Sequence, residues 1–260
     1  MIEIIILCFF RWFCNVAWIL IDHDCRHLYS RSRWYKKIYS MALTYVDKLV
    51  PIGLSTYRGY LDTNVIMPTH VSIEGAFLPP DQRNEKHILM TYPKNLEDFL
   101  QSHGPIILAN AFQLSHVNGQ DLYGIDLCIE TFEALHKKHP HVGFVVALAQ
   151  IGDHAYFERL NGVLRAKNLH RHWYVLTGNR ELWPLFKRAD VFVRPTLSDG
   201  ASVSIQEALF FGVPVVASDV CERPEQVIRF KNRDGFDFTE KVMYALKRSS
   251  MAQKIQGGTS

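Results

Sequence analysis

Residues 190–219 constrain the fold more than any other stretch, because they hold two strand patterns and one helix pattern within thirty residues. An apolar, β-branched run at residues 191–193 predicts a buried strand. Ser202 is a good N-cap for a helix whose apolar positions recur at helical spacing until Gly212 ends it. A second strand pattern follows at residues 215–217. Strand, loop, helix and strand in this order indicate one unit of an α/β protein.

The loop at residues 198–201, between the first strand and the helix, has almost no side-chain bulk. Backbone N–H groups in such a loop, together with the positive end of the helix dipole, can hold an anion. Glu207 lies further along the helix, where a carboxylate is better suited to accept hydrogen bonds from neutral hydroxyls such as a ribose diol. Asp199 lies eight positions earlier, so the two acids bracket the loop. An ordinary strand–loop–helix unit, with a solvated cap and a surface charge, explains these residues equally well.

From residue 199 to 219 the sequence reads DGASVSIQEALFFGVPVVASD. This pattern resembles the acid-x7-acid motif of GT-B glycosyltransferases of family 4, although the first acid is Asp where the family usually has Glu. The resemblance implies an α/β fold of GT-B type, with a doubly wound parallel-sheet C-terminal domain and a partial N-terminal α/β domain. It implies that Asp199 is catalytic and that Glu207 binds the ribose of a nucleotide-sugar. The implied ligands of the diphosphate or sugar are the backbones of Gly200, Ala201, Ser202 and Val203.

Composition and charge exclude several classes of protein. The 260 residues are 48% hydrophobic and 21% charged, which is typical of a globular protein and excludes disorder. The net charge of +3 is too small to indicate nucleic-acid binding. Five scattered cysteines without a CxxC pair argue against a disulfide framework or a zinc site, and favour a reducing cytoplasm. The apolar residues 1–21 lack the features of a signal peptide, so we expect a buried strand and helix there.

Strand and helix patterns alternate regularly after residue 105. Strands are predicted at residues 106–109, 142–149 and 173–177, and helices at 124–138, from Asp153, at 181–189 and at 239–247. This alternation predicts a doubly wound parallel sheet with right-handed crossovers. We therefore expect a nucleotide-sugar-binding domain at residues 105–250 and a flexible tail at 251–260. Residues 75–104 are the expected connection with the first elements of that domain, beginning with a short strand after residue 86.

Residues 1–74 carry the patterns of a second, smaller α/β domain on the acceptor side. Strands are predicted at residues 16–22, 47–54 and 65–67, with a helix at 31–46. A strand ending in His23-Asp24, followed by a basic helix and a strand leading to Ser55, resembles the later half of the N-terminal domain in the same family. The resemblance implies that the first part of that domain, roughly another hundred residues, is absent here. It also implies that His23 is a catalytic group near the anomeric carbon; a structural strand-end histidine is the alternative.

Two cations of the family motif are missing from this sequence. The family has an Arg after the first strand of the C-terminal domain and a Lys just before a Gly, both directed at the donor diphosphate. The matching places hold Asn110 and Tyr123. Each lost charge-assisted contact is worth on the order of 1.5 to 3 kcal/mol. Either the donor is bound through Asn110, His116 or Arg194, or donor binding is weakened; a structural Arg194 paired with a carboxylate is an equal alternative.

A turn and two histidine pairs complete the candidates. Gly178, Asn179 and Arg180 end a strand, and in the family the corresponding turn lies against the nucleotide base; a plain turn explains them nearly as well. The alternating pairs His139 with His141 and His170 with His172 have no carboxylate or Cys at ligand spacing, so we expect no metal.

The sequence therefore predicts a retaining, hexosyltransferase-like glycosyltransferase that moves a sugar from a UDP- or GDP-sugar to an acceptor hydroxyl, without a cofactor. The expected acceptor is a glycan or a lipid-linked sugar. The basic, aromatic segment at residues 32–37 suits peripheral contact with the inner face of a membrane by a cytoplasmic protein, or is a solvated helix face. Two other functions stay open: a non-catalytic or truncated nucleotide-sugar-binding protein, and a sugar-nucleotide epimerase of the same two-lobed architecture.

Overall fold

The structure is a computed structural model that describes residues 16–22, 25–75, 77–200 and 202–257. The chain divides into two compact units: the first runs to Phe77 and also includes Gly200–Ser202, and the second comprises Leu78–Asp199 and the chain from Val203 onward. The strand and helix expected at residues 1–21 fall largely outside the described residues. Among those described, no helix combines the length and the apolar character that a membrane crossing requires.

The first unit is built on a two-stranded parallel sheet. Its strands are β1 (Ile19–Asp22) and β2 (Lys48–Pro51), and the predicted strands at these places are confirmed. Its helices are α1 (Arg33–Leu43) and α2 (Gly53–Asp62), and a 3-10 helix covers Cys25–Leu28. The third predicted strand, at residues 65–67, is wrong. Isolated parallel bridges come instead from Val71 to Leu49 of β2 and from Glu74 to Ile52 just after it, and Val65 lies in the core of the first unit.

Helix α1 is amphipathic. Tyr39 and Leu43 are buried in the core of the first unit, whereas the side chains of Trp34 and Met41 are 73% and 60% exposed. Ser32 caps the helix by accepting a hydrogen bond from the backbone N–H of Tyr35 at 3.3 Å. The helix therefore begins where its basic and aromatic residues begin.

The second unit is a six-stranded, all-parallel sheet. Its strands are β3 (Ile106–Ala111), β6 (Gly143–Leu148), β7 (Trp173–Thr177), β8 (Val191–Arg194), β9 (Val215–Ser218) and β10 (Ile228–Phe230). The short strands β4 (His116–Val117) and β5 (Gln120–Asp121) form a separate antiparallel pair. The order in the large sheet is β10-β9-β8-β3-β6-β7, which is the doubly wound arrangement that the sequence predicts.

Seven helices accompany this sheet in the part of the chain that the structure describes. They are α3 (Glu85–Met90), α4 (Lys94–Ser102), α5 (Ile125–Lys138), α6 (His154–Ala166), α7 (Trp183–Phe186), α8 (Val203–Phe210) and α9 (Gly235–Gly257). Both faces of the sheet are covered. Ile107 and Ala109 of β3 pack into one core with Phe132, while Ile106 and Leu108 pack into a second core with Trp183.

Three elements of the second unit differ from their prediction. The short strand expected after residue 86 is wrong: the segment forms α3, because a brief apolar run carries no period that separates helix from strand. The helix expected at residues 181–189 shrinks to α7, which begins with Pro184 in its first turn. The last helix, α9, continues to Gly257, into the segment predicted as a tail.

Candidate functional site

The candidate site lies at the carboxyl ends of β3 and β8, where the strand order of the large sheet reverses. The chain runs from β3 outward to β6 and β7 on one side, and to β8, β9 and β10 on the other. Ligands of open α/β sheets bind at such a switch point. Asn110 stands near the end of β3 and Arg194 is the last residue of β8.

Arg194 and Asp199 form an ion pair at this point, so the alternative of an Arg194 paired with a carboxylate describes the structure. The Arg194 guanidinium donates from Nε to Asp199 Oδ2 at 2.8 Å and from Nη2 to Asp199 Oδ1 at 3.1 Å. A second arginine, Arg223, donates from Nη1 to the same Oδ2 at 2.7 Å. The three side chains are 13%, 7% and 1% exposed in the order Arg194, Asp199, Arg223. We call these three residues the arginine cluster; it carries one net positive charge.

The environment of Asp199 favours its charged form. Burial acts to raise the pKa of the carboxyl, but the hydrogen bonds and charges of Arg194 and Arg223 outweigh burial and hold the pKa below its usual range. Asp199 is therefore ionised at neutral pH. The prediction that Asp199 is catalytic stays a prediction, and the structure shows its carboxylate engaged by two guanidinium groups.

Both places at which the family has a cation hold residues that contact Arg194. Arg194 Nη1 donates to Asn110 Oδ1 at 3.0 Å, and its carbon Cζ lies 5.7 Å from the centre of the Tyr123 ring. The ring face offers a cation–π contact to the guanidinium. His116, the other candidate cation, lies apart from Arg194, with Nδ1 3.6 Å from Asp153 Oδ2 and its ring against Tyr156.

Asp121, which sequence reasoning did not single out, organises the start of α5 beside the cluster. Its carboxylate is buried and accepts hydrogen bonds from four backbone N–H groups, those of residues 123–126, and from the hydroxyl of Tyr156 at 2.8 Å. The N-cap position itself is Gly124, but an acid shortly before a helix pattern is a helix-start signal that was available in the sequence. Arg223 was missed as well, and nothing in its local sequence distinguishes it from a surface arginine.

The loop that carries Asp199 is tied to the segment before α5. Thr196 Oγ1 and the backbone N–H of Leu197 both donate to the carbonyl oxygen of Leu122 at 2.8 Å. Gly124 has a φ of 68°, and a Cβ atom there would lie 2.2 Å from the carbonyl oxygen of Pro195. Only glycine fits this position, so the two segments share a fixed backbone contact.

Glu207 has a different environment from Asp199. It lies on α8 and is partly buried, and within the described ranges no hydrogen bond or ion pair engages its carboxylate. Burial, followed by the negative charge of Glu181, raises its pKa above the usual range. A carboxylate without a hydrogen-bond or ion-pair partner in the described ranges has acceptor sites available for hydroxyl groups, and the assignment of Glu207 to a ribose stays a prediction.

The turn at Gly178, Asn179 and Arg180 lies at the carboxyl end of β7. Gly178 has a φ of 107°, and Arg180 donates from Nε to the carbonyl oxygen of Thr177 at 3.1 Å and from Nη1 to that of Thr91. Tyr92 donates to the carbonyl oxygen of Glu181 at 2.7 Å.

These contacts bring the turn into the neighbourhood of Glu207. Glu181 and Glu207 both act on the pKa of Tyr92, which burial raises first. Asn179 is exposed. The structure therefore collects the turn and Glu207 in one region of the second unit.

Two predicted site residues lie outside the described residues: His23 and Ala201. Gly200, Ser202 and Val203 follow Asp199 directly, and Val203 is the first residue of α8, as predicted. In the described parts of the chain, no three His, Cys, Asp or Glu side chains are grouped to hold a metal ion.

A family model described as glycosyl transferases group 1 matches residues 92–255, which is more than half of the chain. Two curated proteins of Escherichia coli, both named O-antigen biosynthesis glycosyltransferase WclY, are 30% identical over 137 residues. The match covers 51% of this chain and 36% of each relative, so the chain spans about a third of the length of these relatives.

Solved structures with a similar fold include the glycosyltransferase of Rickettsia africae, with a TM-score of 0.70 and 14% identity, covering 94% of this chain and 70% of that one. Anabaena Alr3699/HepE, crystallised in complex with UDP, has a TM-score of 0.68 and 10% identity, covering 95% and 71%. Sucrose-phosphate synthase of Thermosynechococcus elongatus has a TM-score of 0.58 and 16% identity, covering 95% and 63%. Such identities show the fold alone, and they confirm the predicted GT-B type with a parallel central sheet.

Proposed function

Because this chain belongs to the family of group 1 glycosyl transferases, we propose that it moves a sugar from a nucleotide-sugar donor to an acceptor hydroxyl. Its relatives named for O-antigen biosynthesis, and a structural neighbour that binds UDP, support this reaction class. The donor is a UDP- or GDP-sugar. Transfer retains the configuration at the anomeric carbon, because the acceptor hydroxyl attacks from the face that the diphosphate leaves, which is the course that the family 4 resemblance implies.

The observation that carries this proposal is the open carboxylate of Glu207. A partly buried acid without a cationic partner is costly for a folded protein unless a ligand uses it. A ribose offers two neighbouring hydroxyl donors, and one carboxylate can accept both. The turn at Gly178, Asn179 and Arg180 lies in the same region and is the proposed contact for the base.

The diphosphate takes up negative charge as the sugar departs, so it needs fixed positive groups. Arg194 supplies a full charge, and the backbone N–H groups that the sequence predicts as diphosphate ligands, from Gly200 to Val203, are proposed to supply partial charges. These groups bind and orient the diphosphate without a metal ion. His23 is proposed to lie near the anomeric carbon.

We propose a glycan or lipid-linked acceptor, and peripheral membrane contact through α1 by a cytoplasmic protein. A cavity of about 600 Å³ in the first unit is lined by Arg33, Lys36 and Lys37, together with the apolar Met41 and Ile66. The exposed cations Arg33 and Lys37 and the half-buried Lys36, beside the exposed Met41 and Ile66, suit an anionic headgroup.

Sedimentation with vesicles tests the membrane contact. The protein should bind vesicles that contain phosphatidylglycerol more strongly than vesicles of phosphatidylcholine. Replacing Lys36 and Lys37 by Glu should abolish the difference, whereas replacing the exposed Lys247 by Glu should not. Equal binding to both kinds of vesicle would remove this part of the proposal.

Calorimetric titration with UDP, GDP and their common sugars tests the main proposal. We expect one nucleotide to bind, and Glu207→Ala to weaken it at least tenfold, which corresponds to about 1.4 kcal/mol. Glu158→Ala, an exposed acid on α6, is the matched control and should leave affinity unchanged. Absence of binding by every nucleotide at millimolar concentration would overturn the proposal.

A second function, nucleotide-sugar binding without catalysis, is favoured by the absent family cations at Asn110 and Tyr123. Incubation with the donor that binds separates the two functions. Release of the free nucleoside diphosphate, with transfer or hydrolysis of the sugar, indicates a transferase. Binding without any turnover indicates the non-catalytic protein, and an altered sugar still attached to its nucleotide indicates an epimerase.

A further inference from the structure

The arginine cluster has an unusual distribution of partners. Asp199 is held by two guanidinium groups, of which Arg194 uses two N–H groups and Arg223 only one. Arg223 also donates from Nε to the carbonyl oxygen of Ser218 at 3.2 Å. Its remaining nitrogen, Nη2, is buried and has no hydrogen-bond partner in the described structure. The cluster therefore contains one donor nitrogen without an acceptor, Nη2 of Arg223, and this arginine is the one that solvent does not reach.

The two arginines differ in how they can meet a ligand. Arg223 is 1% exposed and is anchored to the backbone of β9, so it stays where it is. Arg194 is the more exposed of the two and ends β8 at the switch point of the sheet. Its side chain is supported by Asn110 and Tyr123, the residues that stand where the family has its two diphosphate-binding cations. Of the two arginines, Arg194 is therefore the one that can take over diphosphate binding from the two missing family cations.

Asp199 limits what Arg194 can do. Two of the five N–H groups of Arg194, one on Nε and one on Nη2, bind Asp199, so the fork that would bind a phosphate with two parallel hydrogen bonds is already occupied. Arg194 can turn to a diphosphate only if Asp199 keeps another counterion, because an unpaired carboxylate at this depth is strongly unfavourable. Arg223 provides that counterion, and its spare Nη2 can take the second oxygen of Asp199 when Arg194 leaves.

We propose that Arg194 exchanges Asp199 for the diphosphate of the donor, and that Arg223 is a positioning residue that makes this exchange possible by holding Asp199. This inference rests on the proposed function, since it assigns the diphosphate contact of that same site. The exchange breaks two hydrogen bonds between Arg194 and Asp199 and forms up to two between Arg194 and phosphate oxygens. No covalent bond changes. Before the exchange Asp199 pairs with both Arg194 and Arg223, and after it Asp199 pairs with Arg223 alone.

The test compares UDP with uridine, and GDP with guanosine, by titration of the full chain, so that the ratio of the two affinities isolates the diphosphate. Arg194→Met should reduce the ratio by about tenfold to a hundredfold, the range of a charge-assisted contact. Asp199→Asn removes the competing charge and should raise the ratio by about tenfold. Arg223→Met leaves Arg194 as the sole counterion of Asp199 and should lower the ratio, although Arg223 never touches the ligand.

The double variant Arg223→Met with Asp199→Asn distinguishes positioning from a general structural role. Once Asp199 is neutral, Arg194 no longer needs to be released, so the double variant should recover the ratio that Arg223→Met loses. Arg188→Met, an exposed arginine that pairs with Glu97, is the matched control and should change nothing. Far-ultraviolet circular dichroism establishes that each variant is folded.

Three results would overturn the inference: an Arg194→Met chain that keeps the full ratio, an Asp199→Asn chain whose ratio does not rise, or a double variant that stays as weak as Arg223→Met. If the Arg223 and Asp199 variants do not fold, the Arg194→Met result decides alone, because Asp199 stays paired with Arg223 in that variant. Failure of the proposed function looks different. In that case neither the nucleotides nor the nucleosides bind the parent chain at all.

Discussion

Asp199 and Glu207 lie eight positions apart and belong to one motif, yet the fold treats them in opposite ways. Asp199 is held by Arg194 and Arg223, and its pKa lies below its usual range. The carboxylate of Glu207 lacks a hydrogen-bond partner within the described ranges, and burial together with Glu181 raises its pKa. Asp199 therefore stabilises the loop by pairing with two arginines. Glu207 has an unpaired, partly buried carboxylate, and a ligand that donates hydrogen bonds to it could offset the free-energy cost of burying it. A shared motif does not give its two carboxylates the same task.

Replacing Asp199 by Ala gives the largest expected effect on this comparison. The change leaves two arginines that are 13% and 1% exposed without their common counterion, and breaking such a buried arrangement costs about 3 to 5 kcal/mol. Urea unfolding measures the loss of free energy. Asp98→Ala, an exposed acid on α4, is the control. A loss below about 1 kcal/mol, as for a surface ion pair, would show that the cluster does not hold the loop.

The pH dependence of nucleotide binding gives the next effect. Glu207 accepts hydroxyl hydrogen bonds best as a carboxylate, and its raised pKa means that it takes up a proton above the range usual for Glu. We therefore expect the ratio of UDP affinities between the parent chain and Glu207→Gln to be about tenfold at pH 7.5, and to shrink as the pH falls toward 5. Using the ratio cancels the titration of the phosphate itself. A ratio independent of pH would contradict the ribose assignment.

Stability should respond to pH with opposite signs at the two acids. The folded-state pKa of Asp199 is lowered, so its contribution is present above the unfolded-state pKa and is lost as the pH falls through the folded-state value. The folded-state pKa of Glu207 is raised, so between its unfolded-state and folded-state pKa values the folded chain binds more protons than the unfolded chain. The free energy of unfolding therefore falls as the pH rises through this range.

Glu207→Gln should therefore leave the free energy of unfolding at pH 7 equal or higher, and the difference should vanish in acid. Urea unfolding from pH 4 to pH 8 measures this dependence. A marked loss of stability at pH 7 would mean that Glu207 has a structural partner.

The smallest effect is expected from Glu181→Gln. The charge of Glu181 is the second cause of the raised pKa of Glu207, after burial. Its removal should move the midpoint of the pH-dependent UDP ratio downward without returning it to the usual value for Glu. The indole N–H of Trp183 keeps an acceptor in the Gln side chain, so the local packing survives. An unchanged midpoint would mean that burial alone sets the pKa.

Much of the second unit could be predicted from the sequence, because its strands and helices carry clear periods. The strand at residues 173–177 and the cap of α6 by Asp153 are both confirmed. The Asp153 side chain accepts a hydrogen bond from the backbone N–H of Tyr156 at 2.9 Å. The strand predicted after residue 86 was wrong, since an apolar run of three residues fits a helix or a strand equally well.

The site was harder to predict than the fold. Local sequence gave the motif, the two acids and Arg194, because they lie on one strand–loop–helix unit. It could not give Arg223, which reaches Asp199 from the loop after the neighbouring strand. Nor could it show that Asn110 and Tyr123, which stand where the family has its two cations, both lie against Arg194. Contacts of this kind depend on which strands are neighbours, and single-residue patterns do not record that.

The close approach of Gly124 to Pro195 limits how this site can be re-engineered. The two residues belong to different strand–helix units, but their backbones occupy one shared space in which a Cβ atom has no room. The usual modularity of α/β proteins, in which one loop is exchanged while the others stay, does not hold here. A graft of the Asp199 loop from a relative would have to bring the segment before α5 with it, so the smallest transferable part of this site is a pair of loops.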